Sequence, residues 1–126
     1  MQSFEATTTL SMTEAEAAVR SSLAEQAFGV LTEIDVAANL RAALGIERRP
    51  LKILGACNPN FANEALDLDG DVSLLMPCNV VLTTTDAGTR ITAVDPRALI
   101  SEPEFATLTQ DAADRLRAAL AAIPAS

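Results

Sequence analysis

The only cysteines of the chain lie in two short segments that resemble each other. Cys57 belongs to GACNPN and Cys78 to MPCNV; in both, an asparagine follows the cysteine and a proline lies within two residues of it. Thiols and thiolates bind soft metal ions and act as nucleophiles or redox groups. The candidate ligand or redox residues are therefore Cys57, Asn58, Pro59, Cys78 and Asn79.

Local signals place both thiols at the ends of predicted elements. Cys57 ends a predicted strand and precedes Asn58 and Pro59, a pair typical of a helix N-cap and first turn. Free backbone N–H groups at such a helix start favour a thiolate, so we expect a lowered pKa at Cys57. Alternation along an extended segment puts Cys78 and Met76 on one side. If Cys57 and Cys78 face the same space, these two sulfurs and the Met76 thioether suit Cu(I) or, less completely, zinc.

Three functions are compatible with this pair of segments. The favoured one is a binding module that holds a soft metal or a small ligand where GACNP and MPCNV meet. The second is a thiol redox protein, with Cys57 as the nucleophile and Cys78 as the resolving thiol. The third is an interaction domain without chemistry, in which both cysteines are small core residues.

Composition narrows the chemistry further. The 126 residues, 49% of them hydrophobic, fit one globular domain spanning 1–126. The chain has no His, no Tyr and a single Lys, which excludes His-based acid–base catalysis and every metal site that needs imidazole. Glu33 and Asp35 form a carboxylate pair, but a surface position and a helix cap explain them more simply. We therefore lean against an enzyme.

The charge and the N-terminus bear on partners and location. A formal net charge of −8 disfavours binding to phosphate backbones, so nucleic acid is not an expected partner. The apolar runs are too short to span a bilayer, and the first residues lack the pattern of a signal peptide. We expect a cytoplasmic protein that does not associate with membranes, in which the cysteines are thiols rather than a permanent disulfide.

Capping signals and periodicity predict the first half of the fold. A strand at 7–10 is followed by a helix that begins with the capping box of Ser11 and Glu14 and ends at Gly29. A second strand covers 30–35, and a short helix follows between the N-cap Asp35 and Gly45.

The second half contains more strands than helices. A strand at 51–56 leads into a short helix at 60–66, and further strands are predicted at 72–75, 79–85 and 90–94. The last two form a hairpin with Gly88 in its turn, and a long amphipathic helix closes the chain. The order β-α-β-α-β-α-β-β-β-α predicts an α+β fold with one largely antiparallel sheet and its long helices on one face.

Four blocks of the sequence resemble domain-of-unknown-function family 302. They are FGVLTEIDV at 28–36, ILGACNPNFANEAL at 53–66, LLMPCNVVL at 74–82 and VDP at 94–96. The resemblance implies a small α+β domain with a curved antiparallel sheet, and a bacterial or archaeal homodimer in the cytoplasm. The family's recurring motif falls on Gly55, Asn58, Pro59, Pro77 and Asp95-Pro96 of this chain. The resemblance itself implies no enzymatic activity. Because the chain has both Cys57 and Cys78, it resembles those members of the family that carry two cysteines.

Overall fold

The secondary structure of this computed structural model, which describes residues 2–126, alternates strands and helices before ending in a hairpin and a long helix. The strands are β1 (Ser3–Thr8), β2 (Gly29–Asp35), β3 (Leu51–Cys57), β4 (Cys78–Thr85) and β5 (Gly88–Val94). The α-helices are α1 (Met12–Glu25), α2 (Val36–Leu44), α3 (Pro59–Leu68), α4 (Pro96–Leu99) and α5 (Ala106–Ala121). Two 3₁₀ segments, Gly70–Leu75 and Pro103–Phe105, lie before β4 and α5.

The strands of residues 2–126 form one antiparallel sheet of five strands in the order β1-β5-β4-β3-β2. The predicted α+β class is confirmed, as are the helix after the first strand and the long C-terminal helix. The predicted strand at 72–75 is wrong, because these residues belong to the 3₁₀ segment Gly70–Leu75. The side chain of Asp69 accepts a hydrogen bond from the N–H of Asp71, which begins that tight turn and prevents an extended chain.

One face of the sheet carries the core, and the residues of the other face are less buried. The core face packs against α1, α3 and α5, and its central side chains are fully buried. Alternation sends the neighbouring residues of each strand to the opposite side, here called the open face, where side chains are half-buried or exposed. The fully buried core residues include Leu23, Leu54, Leu82, Ile91 and Leu116.

Helix caps form where the sequence predicts them. Ser11 and Glu14 make the reciprocal capping box of α1, and the carboxylate of Asp35 accepts the Ala38 N–H at the start of α2. Gly45 ends α2 in the left-handed conformation with φ of +68°. The predicted end of α1 at Gly29 is wrong, since the helix stops at Glu25.

The chain leaves α1 through an alanine rather than a glycine. Ala27 adopts a φ of +65°, and the N–H of Phe28 donates to the carbonyl of Leu23, which closes the last turn. Phe28 is buried in the core, so the burial of its ring stabilises this turn despite the unfavourable φ of Ala27. Gly29 is then the first residue of β2.

Among the helices of residues 2–126, none has both the length and the hydropathy of a bilayer-spanning helix.

Candidate functional site

The first cysteine segment is a strand end joined to a helix start. Cys57 is the last residue of β3, and the carboxamide oxygen of Asn58 accepts a hydrogen bond from the N–H of Phe61 at 3.2 Å. Pro59 is the first residue of α3, where its missing N–H costs nothing. The predicted cap is confirmed, and because Asn58 is buried, its side chain serves the backbone.

The second cysteine segment begins β4. Cys78 is the first residue of this strand and is buried in the core, together with Val80 and Leu82 on the same face. Pro77 precedes it, joined to Met76 by a cis peptide bond. Met76 contacts the core from outside the strand.

Strand register separates the two thiols. The residue opposite Cys78 is Ala56, so Cys57 lies one position away on the adjacent strand. Successive side chains of a strand point to opposite faces, which places Cys78 on the core face and Cys57 on the open face. Both cysteines are free thiols. The two sulfurs therefore belong to different sides of the sheet.

Neither thiol has the environment of a reactive cysteine. Burial raises the pKa of Cys57 above its ordinary value, so the predicted lowering by the helix start is wrong. The N–H of Phe61 is already bound by Asn58 and does not stabilise a thiolate. Burial, with a smaller contribution from the charge of Cys57, raises the pKa of Cys78 to about 11. Both residues are thiols, not thiolates, at neutral pH.

Within residues 2–126, no group of three or more His, Cys, Asp or Glu side chains is arranged to hold a metal ion. The predicted soft site needs Cys57, Cys78 and Met76 to converge, and the sheet lies between the two thiols. Metal binding by these three residues stays a prediction.

The two motifs meet instead through a glycine and a proline. Gly55 and Asn79 are opposite each other in the β3–β4 pair, and the ring of Pro77 lies over Gly55 on the open face. A Cβ on Gly55 would lie 2.7 Å from Cγ of Pro77 and would overlap the hydroxyl of Thr32. Gly55 thus allows Pro77 and the chain before it to approach the sheet.

This approach shapes a cavity of about 670 Å³ on the open face. Its floor consists of open-face residues of β4, β5 and β1, and its walls consist of the chain before β4 and Leu99 of α4. Most of its lining residues are apolar, four are neutral and polar, and one, Arg90, is charged. The residues are Gln2, Ser3, Leu74, Leu75, Met76, Pro77, Asn79, Val81, Arg90, Thr92, Ala93, Val94 and Leu99.

The sequence predicts only part of this lining. Asn79 and Met76 were candidate residues, and both border the cavity, whereas Cys57, Asn58, Pro59 and Cys78 do not line it. Val81 and Thr92 were missed because they read as ordinary strand residues. The available signal was alternation, which puts Asn79, Val81 and Thr83 on the face opposite the core.

The candidate carboxylates Glu33 and Asp95, which lie outside the cavity, have structural partners. Glu33 and Glu16 both contact the Lys52 ammonium, at 2.7 and 2.8 Å, and both also pair with Arg20. The buried Asp95 accepts the N–H of Arg97 and pairs with its guanidinium at 2.8 Å. The hydrogen bond from Arg97 lowers the pKa of Asp95, so this cap stays ionised at neutral pH.

The comparison with known families agrees with this structure. Residues 4–123 match the family described as "Domain of unknown function DUF302". The chain belongs to the DUF302 family. The crystal structure of an uncharacterized conserved DUF302 protein from Bacillus stearothermophilus is similar, with a TM-score of 0.89 and 26% identity over 98% of this chain and 99% of that one. No curated protein matches the chain.

The DUF302 motif residues have structural roles here. Asn58 and Pro59 start α3, Asp95 and Pro96 start α4, and Gly55 makes room for Pro77. Two of these features lie beside the cavity: the Gly55–Pro77 contact positions the chain before β4, and the start of α4 precedes Leu99.

Proposed function

We propose that this chain is a non-catalytic binding module that holds a small amphipathic molecule in the open-face cavity. The cavity volume of about 670 Å³ carries the proposal, because it lies in the range of ligand pockets. Aliphatic side chains surround an apolar body, and Asn79, Thr92 and Ser3 offer neutral hydrogen-bonding groups. This combination matches the usual make-up of a ligand site.

The lining also supports binding rather than chemistry. Among the described residues, no carboxylate or thiol lines the cavity, and Arg90 is its sole charged side chain. General acid–base or nucleophilic catalysis needs a titratable group within reach of the bound molecule. The observed set orients a ligand and has no group of that kind.

A neutral fluorescent dye tests this function. N-phenyl-1-naphthylamine brightens in apolar surroundings, and we expect saturable binding of one dye per chain. The Val81→Phe substitution fills the cavity floor and should weaken dye binding at least about tenfold, since a bulky ring excludes the ligand. The matched control is Leu51→Phe, on the open face of β3 but outside this cavity, which should bind as the wild type does. Dye binding that does not saturate, or that Val81→Phe leaves intact, would contradict the proposal.

We further propose that the module is a homodimer joined along β2. This strand lies at the end of the sheet away from the cavity. Its aliphatic side chains Leu31 and Ile34 are 68% and 44% exposed. The bulge between Val30 and Thr32 turns Leu31 outward, so a second copy of the chain would contact β2 through side chains.

Sedimentation velocity tests this interface. The wild type and the control Leu66→Asp on α3 should sediment as dimers, and Leu31→Asp as a monomer. A monomeric wild type would contradict the proposed dimer.

Soft-metal and redox functions of Cys57, Cys78 and Met76 have less support. The strand register places the thiols on opposite faces, and burial raises the pKa of both. Retention of Cu(I) or Zn(II) by the wild type but not by Cys57→Ser would reinstate the metal function over the one proposed here.

A further inference from the structure

The charge of the cavity defines the class of its ligand more closely, and this step rests on the proposed function. Arg90 is the sole charged side chain among the described residues that line the cavity. It lies on the open face of β5 and is half-exposed. A fixed cation at the edge of an otherwise neutral, aliphatic cavity favours a ligand with one negative charge and an apolar body.

The carboxylate of Glu5 already accepts hydrogen bonds from part of the Arg90 guanidinium. Nε of Arg90 donates to Glu5 at 2.7 Å, and Nη2 donates to the second oxygen at 3.3 Å. The pair is bidentate, the geometry that guanidinium and carboxylate groups prefer. Glu5 lies on the open face of β1 opposite Thr92 and is not itself part of the lining, so it neutralises Arg90 from beside the cavity.

Part of the guanidinium is not bound by Glu5. The Nη1 hydrogens of Arg90 make no hydrogen bond to any residue between 2 and 126. The side chains of Arg90 and Glu5 are each about half exposed to solvent. Exposed ion pairs are weak, so a ligand carboxylate competes with Glu5 at little cost. Thr92 lines the same cavity two residues along β5 from Arg90, and its hydroxyl is a donor suited to a second carboxylate oxygen.

We propose that the cavity binds an aliphatic monocarboxylate, with its chain against the aliphatic wall and its carboxylate on Arg90. A single Arg, with no Lys or second Arg among the described lining residues, fits one planar carboxylate better than a doubly charged phosphate. The wall residues are aliphatic and include no aromatic ring, which matches a flexible alkyl chain. Glu5 holds Arg90 in place when the cavity is empty.

Three ligands that share a ten-carbon chain and differ in their head group test this inference. Decanoate, 1-decanol and decyltrimethylammonium, each kept below its micelle concentration, displace N-phenyl-1-naphthylamine from the wild type, and direct calorimetry covers the case of weak dye binding. We expect decanoate to bind at least about tenfold more tightly than decanol, because a charge-assisted hydrogen bond contributes more than a neutral one. The cationic analogue should bind most weakly of the three.

Two variants at the ion pair separate the role of Arg90 from that of the apolar wall. Arg90→Gln should reduce decanoate affinity about tenfold and leave decanol affinity unchanged. Glu5→Gln removes the competing charge and should raise decanoate affinity up to about fivefold. The control Arg115→Gln breaks a similar exposed pair with Asp111 on α5 and should change neither affinity. Circular dichroism checks that each variant is folded. Arg90→Lys keeps the positive charge but lacks the planar guanidinium, so its loss of decanoate affinity should be smaller than that of Arg90→Gln.

The outcomes distinguish this inference from the proposed function. Equal binding of decanoate and decanol, or a decanoate affinity unaffected by Arg90→Gln, would overturn the carboxylate assignment and leave the apolar binding site standing. If neither the dye nor any decyl compound binds, or if Val81→Phe leaves their affinities unchanged, both the proposed binding function and the proposed ligand class are contradicted.

Discussion

The Gly55→Ala variant is expected to lose about 2–3 kcal/mol of unfolding free energy, a large cost for the addition of one methyl group. The new Cβ would lie 2.7 Å from Cγ of Pro77 and would overlap the hydroxyl of Thr32. Gly55 is itself buried between two neighbouring strands, so the backbone of β3 has little freedom to move away. The ring of Pro77 and the β2 strand must shift instead.

Urea unfolding followed by circular dichroism measures this loss, since the chain has no Trp or Tyr for fluorescence. The matched control is Gly29→Ala, also a strand glycine, where a Cβ meets no described atom within 4 Å. Gly29→Ala should change the stability by less than about 0.5 kcal/mol, as is usual for surface substitutions. A second variant, Gly55→Ala with Thr32→Ala, removes one of the two overlaps and should recover part of the loss.

The same substitution reports on the proposed site. Displacement of Pro77 moves the chain that carries Met76 and Leu75, which form a wall of the cavity. We therefore expect Gly55→Ala to weaken binding of N-phenyl-1-naphthylamine even where the protein is still folded. Equal stability and equal dye binding in Gly55→Ala and Gly29→Ala would contradict both the close packing and its role in shaping the cavity.

Local signals in the sequence predicted local structure well. Ser11, Asp35 and Asn58 each cap a helix as expected, because a cap depends on residues only two or three positions away. The end of α1 was missed, since the buried ring of Phe28 makes Ala27 adopt a left-handed conformation that a glycine would normally take. Tertiary packing there overrides the local preference.

The cysteine hypothesis shows where the sequence stops being informative. The predicted strands at 51–56 and 79–85 lie next to Cys57 and Cys78, and β3 and β4 each extend one residue further to include them. Their faces depend on the register of β3 against β4, which pairs Cys78 with Ala56. A shift of one residue reverses the face of every side chain on a strand, and no local signal fixes that register.

The cavity could not be predicted for a related reason. Its floor combines residues of β1, β4 and β5, which are far apart in sequence and adjacent only through the strand order. Its wall is a 3₁₀ segment that the β-branched and aliphatic residues at 72–75 made resemble a strand. Sequence reasoning therefore found the motif that shapes the cavity and missed the cavity itself.

The Gly88→Ala variant is expected to be the most destabilised, by about 3–5 kcal/mol, because it combines backbone strain with steric overlap. Gly88 begins β5 with a φ of +151°, a conformation that residues with a Cβ rarely adopt. A Cβ there would overlap the carbonyl oxygen of Thr8 and lie 2.7 Å from Cα of Thr9. These are backbone atoms at the end of β1, so relief requires β1 to move from β5.

A second glycine with positive φ separates the two causes. Gly45→Ala introduces a Cβ at a φ of +68° with no described atom within 4 Å, and should cost about 1 kcal/mol from strain alone. The difference between the two variants, about 2–4 kcal/mol, then measures the overlap with β1. Because β1 carries Ser3 to the cavity, a folded fraction of Gly88→Ala should also bind N-phenyl-1-naphthylamine more weakly. Equal losses in the two variants would show that β1 accommodates the methyl group, and that the close approach of β1 to the β4–β5 turn does not fix its position.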